Sequence, residues 1–234
     1  MNHLSKMNIF FRLISALFFL SLSWALPPAS VGAVQPTPGE VLDRLSKSFN
    51  REKGFESRFS QILTPQNSRA VMSRGRLLYK APGKMILRYR NPKGQVLLLS
   101  GNEVSLYIPQ NKQILLQTLN STHHIPETPA LLFASLGHLD RYFYVRPEGS
   151  GTLSDQTTYA IELIPRKPDP HLAVARISID LKSGFPRSIT FMETNGMEVS
   201  IHLTDLSPRE SVQDSDFALG VPPETTVVRV KGGF

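Results

Sequence analysis

Along most of this chain apolar residues return at every second position, and short Pro, Gly and Asn clusters interrupt them at close intervals. The densest stretch, Gly75 to Gln113, holds four or five β-rich runs. Tyr79, Met85, Leu87 and Tyr89 alternate with polar or mixed neighbours, and Val96 to Leu99 form a denser apolar run. In the next run Val104, Leu106 and Ile108 fall on one face and Tyr107 on the other. This is the pattern of an antiparallel meander rather than of a parallel sheet with crossover helices. Upstream, Phe55, Ser57 and Phe59 alternate along a first strand, and Val71 to Lys80 make a second in which Gly75 marks a bulge or a sharp curvature. Pro82-Gly83, Asn91-Pro92-Lys93-Gly94, Ser100-Gly101-Asn102 and Pro109 to Lys112 supply the turns.

The period changes in two places. Thr37 caps, Pro38 occupies a first helical position and Glu40 lies in the first turn, ahead of Val41, Leu42, Leu45 and Phe49 at helical spacing. This predicts an amphipathic helix of three to four turns, packed on a sheet, ending at or before Gly54. Later, Thr128 caps and Pro129 starts a short, very apolar segment, Ala130 to Leu136, that stops at Gly137. A segment apolar on nearly all sides needs cover on nearly all sides, so it is expected against the open side of the sheet, as a core plug or a movable lid.

Strand patterning then resumes at Tyr142 to Pro147, Thr158 to Pro165, Leu172 to Leu181, Arg187 to Glu193 and Glu198 to Leu206. The expected links are Pro147 to Gly151, Arg166 to Pro170, Ser183 to Pro186 and Thr194-Asn195-Gly196, the last being the strongest hairpin signal of the chain. The count is about ten or eleven strands with two helices. A single antiparallel sheet of that width curls into a barrel or half-barrel.

The first residues fit an export signal rather than part of the fold. Lys6 and Arg12 precede an apolar run from Leu13 to Leu26, and Val31-Gly32-Ala33 provides small or permissive residues for cleavage. A transmembrane anchor is the competing reading, but the run is short for a span and Pro27-Pro28 follows it directly. The expected organisation is a signal peptide over residues 1–33 and one domain over 34–234. Losing Lys6 and Arg12 takes the formal charge from +7 to +5. The surplus is dispersed, with no dense basic block or nucleic-acid motif, so no nucleic-acid partner is expected. The chain has no cysteine, which excludes disulfides, a cysteine nucleophile and lipid attachment through cysteine. His123-His124 sit in a polar loop, while His138, His171 and His202 are isolated, without metal-ligand spacing. No nucleophile-elbow motif or phosphate-cradling glycine loop occurs, so neither catalysis nor a cofactor is expected.

The inner face of the sheet remains, either as a filled core or as the wall of an apolar cavity. Patterning leaves both open. An ordered series of short motifs adds to it. The amphipathic helix is followed by GFESRFSQ, Gly75-Arg76-Leu77, Pro82-Gly83-Lys84-Met85-Ile86-Leu87-Arg88-Tyr89, Asn91-Pro92 and Gln95-Val96-Leu97-Leu98. Ser100-Gly101-Asn102, Leu106-Tyr107, Asp216-Phe217 and Val221-Pro222-Pro223 complete the series. Together these resemble the outer-membrane lipoprotein carrier family, the periplasmic lipoprotein chaperones called LolA, over nearly the whole mature chain. The resemblance implies an incomplete, strongly curved antiparallel β-barrel covered by a helical lid, with an apolar cavity between them. It further implies a periplasmic monomer without enzymatic activity that carries acylated lipoproteins. These would come from an inner-membrane ATP-driven lipoprotein-release complex and pass to an outer-membrane lipoprotein acceptor. Two other uses of the same half-barrel stay open: carriage of another lipid or glycolipid, and a non-carrying regulatory or interaction module. Phe55, Phe59, Met85, Leu87, Tyr89, Leu97, Leu99 and Leu132 are the candidates for cavity lining and lid. Two positions depart from the family pattern. Ala81 stands where the family has an arginine linked to lid closure, and Leu87 where it often has Trp. Lys80, Lys84 or Arg88 are the available substitutes for polar contacts to the lid.

Overall fold

A computed structural model describes residues 36–51, 53–118, 132, 135–153 and 156–230. Helix α1 (Pro38–Arg51) begins where the sequence places its cap. The Thr37 amide donates to the Glu40 carboxylate (2.7 Å) and the Glu40 amide donates back to the Thr37 hydroxyl (3.3 Å), a reciprocal cap. Val41, Leu45 and Phe49 form its buried stripe.

Among the described residues twelve strands follow: β1 (Gly54–Thr64), β2 (Val71–Lys80), β3 (Lys84–Asn91), β4 (Val96–Ser100), β5 (Glu103–Ile108), β6 (Gln113–Thr118), β7 (Phe143–Leu153), β8 (Gln156–Pro165), β9 (Leu172–Asp180), β10 (Pro186–Glu193), β11 (Glu198–Pro208) and β12 (Thr226–Val230). They form one sheet in the order β12-β6-β5-β4-β3-β2-β1-β11-β10-β9-β8-β7. Two meanders, β1 to β6 and β7 to β11, meet along one antiparallel seam between β1 and β11. The sheet does not close on itself, and α1 packs on its inner face; the incomplete, mostly antiparallel barrel expected from the pattern is the observed architecture.

Gly75 acts as its position in β2 requires. The β2–β3 register slips between Arg74 and Gly75, so the bulge lies at this glycine. A Cβ there would stand 2.1 Å from the Arg88 carbonyl oxygen and 2.9 Å from the Phe59 ring. On β1 the register to β11 slips between Glu56 and Arg58, and the Ser57 hydroxyl donates to the Thr204 carbonyl (2.8 Å) beside the slip.

The structure corrects the expected elements at three points. The sheet has twelve strands rather than ten or eleven, because Thr226–Val230 adds β12, which runs parallel to β6. Pro147 to Gly151 is not a link: β7 runs through it to Leu153 with a register shift between Pro147 and Gly149. β7 is the last strand of the sheet, and Pro147 lies beside its register shift, the two places where a strand tolerates proline. One α-helix rather than two is fully described. Of the second expected helix, Leu132 and Ser135 have helical conformation, and Leu132 and Leu136 are buried in the main core; its other residues from Thr128 to Ala134, like the signal segment and His123-His124, lie outside the described residues.

Candidate functional site

Strand register sorts the side chains of the first meander into rows that cross the sheet on its inner face. One row runs Phe55–Tyr79–Met85–Leu99–Val104–Gln117–Val230, from β1 to β12. The next runs Ser57–Leu77–Leu87–Leu97–Leu106–Leu115–Val228. Phe59, Gly75 and Tyr89 begin a third. Seven of the eight sequence candidates occupy these rows, and the eighth, Leu132, packs in the same cluster. All except Leu97, which is half-buried, are buried. The second row opens as it approaches β12: Leu87 is 3% exposed, Leu97, Leu106 and Leu115 are half-buried, and Val228 is 37% exposed. The inner face therefore passes from closed core to accessible apolar wall along one line of residues.

Helix α1 closes the deep end. Phe49 meets Phe55 at 5.5 Å, Tyr79 at 5.3 Å and Phe185 at 5.6 Å between ring centroids. Hydrogen bonds hold the helix to two segments. Arg44 Nη1 donates to the Leu181 carbonyl (3.0 Å), the Ser48 hydroxyl to that of Ser183 (2.8 Å), and the Ser46 hydroxyl to that of Gly137 (3.0 Å). Few, mostly polar ties over an aromatic cluster describe a cover held mainly by side-chain packing. The candidate set missed Tyr79, Leu77 and Phe185 here, and with them the whole second meander, whose Leu163, Ala175, Ile177, Ile179, Ile189 and Phe191 complete the same cluster. Their signal was the clean alternation of Ala175, Ile177 and Ile179.

Polar groups on this face are few and individually accommodated, with one exception. Tyr89 donates its hydroxyl to Gln61 Oε1 (2.9 Å), and burial pushes its pKa up to about 12. The Gly83 amide donates to the Tyr79 hydroxyl (3.2 Å); burial raises that pKa as well, against the opposing effect of the Gly83 bond. Gln117 is 5% exposed, and among the described residues its Oε1 has no hydrogen-bond partner.

Lys80, Lys84 and Arg88, expected as lid contacts, lie instead on the outer face, in opposite phase to Tyr79, Met85 and Leu87. There they hold a strap of chain, residues 209–225, that leaves β11 and crosses β2 to β6 before entering β12. Both lysines reach Asp214 Oδ1 (2.9 and 3.1 Å), and those hydrogen bonds, Lys80 first, draw its pKa below the ordinary carboxylate value. Arg88 Nη2 donates to the carbonyls of Asp216 (3.1 Å) and Ala218 (2.8 Å), and Lys84 stands over the Phe217 ring at 5.1 Å. Under the strap Ile86, Val96, Tyr107, Ile114, Val212 and Phe217 form a second apolar cluster. Beside it lies a groove of about 720 Å³ of mixed lining, with Arg58, Arg76, Arg88, Arg209 and three carboxylates alongside Leu77, Leu78 and Ile86. Ala81, half-buried, packs against the main core, and its amide donates to the Lys53 carbonyl (3.0 Å). Among the described residues no three His, Cys, Asp or Glu side chains converge to hold a metal.

Comparison with known proteins bears on this arrangement at three levels. An outer-membrane lipoprotein carrier protein of Pseudomonas paraeruginosa is 26% identical over 220 residues, which cover 93% of this chain and 99% of that protein. That of Azotobacter vinelandii is 24% identical over 220 residues with the same coverages. Among solved structures, an uncharacterized conserved protein of Thermus thermophilus superposes with a TM-score of 0.54 at 12% identity, covering 82% of this chain and 98% of that one, which reflects the fold alone. The family model for the outer membrane lipoprotein carrier protein LolA matches residues 50–219, from the end of α1 through the seam and most of the strap. With an apolar inner face built by that same stretch, the chain belongs to the LolA family, within the lipoprotein-carrier and lipid-binding superfamily, and its location is the periplasm.

Proposed function

We propose that the protein, after removal of a signal peptide over residues 1–33, carries acylated lipoproteins through the periplasm, with their acyl chains on the inner face of the half-barrel. The observation that carries this reading is the row Leu87–Leu97–Leu106–Leu115–Val228, a continuous apolar track from the sealed core to an accessible edge. Phe55, Phe59, Met85, Leu87, Tyr89, Leu97, Leu99 and Leu132 form the wall and cover of the acyl site. The chains enter by the open end of the track and displace side-chain packing beneath α1 as they go deeper. Each methylene withdrawn from water is worth about 0.8 kcal/mol, which is why such cargo needs a carrier and why side-chain self-packing can compete with it. Loading takes place at an inner-membrane ATP-driven release complex and unloading at an outer-membrane lipoprotein acceptor. The protein acts as a monomer, without cofactor and without covalent chemistry.

The test is extraction. Purified mature protein added to an energised inner-membrane preparation is expected to take up a triacylated lipoprotein in stoichiometric amount and keep it soluble. A folded protein that extracts none contradicts the proposal. Native mass spectrometry of protein purified without detergent addresses the other carrier reading: a co-purifying phospholipid or glycolipid in place of acylated polypeptide would redirect the assignment to that lipid.

A further inference from the structure

Five polar or charged side chains are buried among the described residues, and four have partners. Ser57 donates to the Thr204 carbonyl, Thr158 to that of Gly151, Ser200 pairs with Thr190, and Asp180 accepts from Ser183 and Arg187. Gln117 is the fifth, and its Oε1 is buried without a donor. A buried acceptor without a partner costs about 1–3 kcal/mol, and native folds keep few of them. Its place in the sheet gives this one meaning. Register sets Gln117 opposite Val104 on the inner face, at the end of the row Phe55–Tyr79–Met85–Leu99–Val104 and beside Val230 of β12. It is thus a single carboxamide in an otherwise apolar stretch of wall, next to the half-buried Leu106 and Leu115 of the neighbouring row.

We infer that Gln117 is a specificity residue that recognises the amide linkage of an N-acylated ligand, its Oε1 accepting the amide N–H where the acyl chain joins its head. This rests on the acyl-carrier reading above. A carboxamide offers one acceptor and two donors in one plane. An amide-linked acyl group brings an N–H that can donate to Oε1. An ester-linked acyl group brings only acceptors, so it leaves Oε1 as orphaned as before. The hydrocarbon fixes affinity through area, and Gln117 adds discrimination by linkage chemistry, since a buried polar group left unpaired by the wrong ligand is the stronger source of selectivity. A phospholipid, whose chains are joined by esters, is thereby disfavoured against an N-acylated polypeptide of equal chain length.

The experiment titrates the intact mature protein with two synthetic probes. One is a short peptide whose N-terminal cysteine carries an N-palmitoyl amide and an S-diacylglyceryl group; the other replaces the amide N–H by oxygen. The wild-type protein is expected to bind the amide probe about ten-fold more tightly, equivalent to about 1.4 kcal/mol. In Gln117→Met, of similar length and apolar, the ratio is expected to fall to about one, with a melting temperature no lower than wild type, since the orphaned acceptor is gone. Equal affinity of the wild type for both probes, or an unchanged ratio in Gln117→Met, overturns the assignment while leaving the carrier reading standing. If the wild type binds neither probe, both fall. The wild-type comparison does not depend on how the variant folds.

Discussion

Leu97 and Leu98 are neighbours on β4 that point to opposite faces, which makes them a sharp test of which face holds ligand. Leu97 lies between Leu87 and Leu106 in the opening row of the inner face, and Leu98 lies between Ile86 and Ser105 against the outer cluster beneath the strap. Both are half-buried. Full burial of a leucine is worth about 1.5–3 kcal/mol, so each contributes roughly half of that to stability. In Leu98→Asp that loss is joined by the desolvation of a carboxylate against Ile86 and the strap, for a total of about 2–3 kcal/mol. In a chain of this size that lowers Tm by about 4–12 °C. Acyl binding is expected to stay within about two-fold of wild type, because no inner-face contact changes. Leu97→Asp has the opposite signature. Its carboxylate can turn to the open end of the row, so Tm falls by only a few degrees at about 1 kcal/mol. A charge in the track forfeits contact with three or four methylenes of a bound chain, about 3 kcal/mol or a 100-fold weaker Kd. Thermal unfolding followed by circular dichroism, with titration of a fluorescent acyl probe, reads both quantities. Loss of binding in Leu98→Asp with retention in Leu97→Asp would refute the assignment of faces. Unchanged binding in both would remove the track from the acyl site.

Two further outcomes test the framework. Gly75→Ala sets a Cβ 2.1 Å from the Arg88 carbonyl, a backbone atom of the adjacent strand that yields only if β3 moves; a loss of about 3 kcal/mol is expected, read from urea unfolding, and a change under 1 kcal/mol would contradict the packing at the bulge. Asp180 anchors the β9–β10 turn: burial by itself raises its pKa, but the Ser183 amide and hydroxyl and then the Arg187 guanidinium outweigh it and leave it lowered. A lowered folded pKa means its contribution is fully present above the ordinary carboxylate value and is lost as the pH falls through the folded value. Stability measured between pH 6 and 2 should therefore drop less steeply at the acid end in Asp180→Asn than in wild type, from a lower starting level; identical acid limbs would show that the turn does not depend on this charge.

Much of the fold was readable from the chain because most of its information is local. Period-two alternation, the reciprocal Thr37–Glu40 cap and the Asn195-Gly196 turn each specify their element without help from distant residues. Features set by distant partners were harder to read. Thr226–Val230 is a five-residue run after Pro222-Pro223, and only β6, over a hundred positions earlier, makes it a strand. Pro147 and Gly149 carry a turn signature but lie at a register shift on the outermost strand, where proline is tolerated. The faces of Lys80, Lys84 and Arg88 were available from parity, since each is one or three positions from an inward Tyr79, Met85 or Leu87; what they grip was not, because the strap lies some 130 residues downstream. Gln117 escaped notice because Ile114, Leu115 and Leu116 are apolar on both faces of β6 and hide its phase.

The seam between β1 and β11 has a consequence for the birth of the molecule. Phe55 pairs with Pro208, and every strand between them belongs to one of two locally zippered meanders. A polypeptide that enters the periplasm amino end first can form the first meander early. It cannot give β1 its second neighbour until β11, about 150 residues beyond β1, has arrived. Sheets closed by contacts so remote in sequence assemble slowly, over milliseconds to seconds. During that interval Phe59, Leu87 and Leu99 face water together, and β1 offers a free edge, the combination that invites aggregation. The inner face proposed above to shelter another molecule's hydrocarbon is, for a newly translocated chain, the surface most in need of shelter.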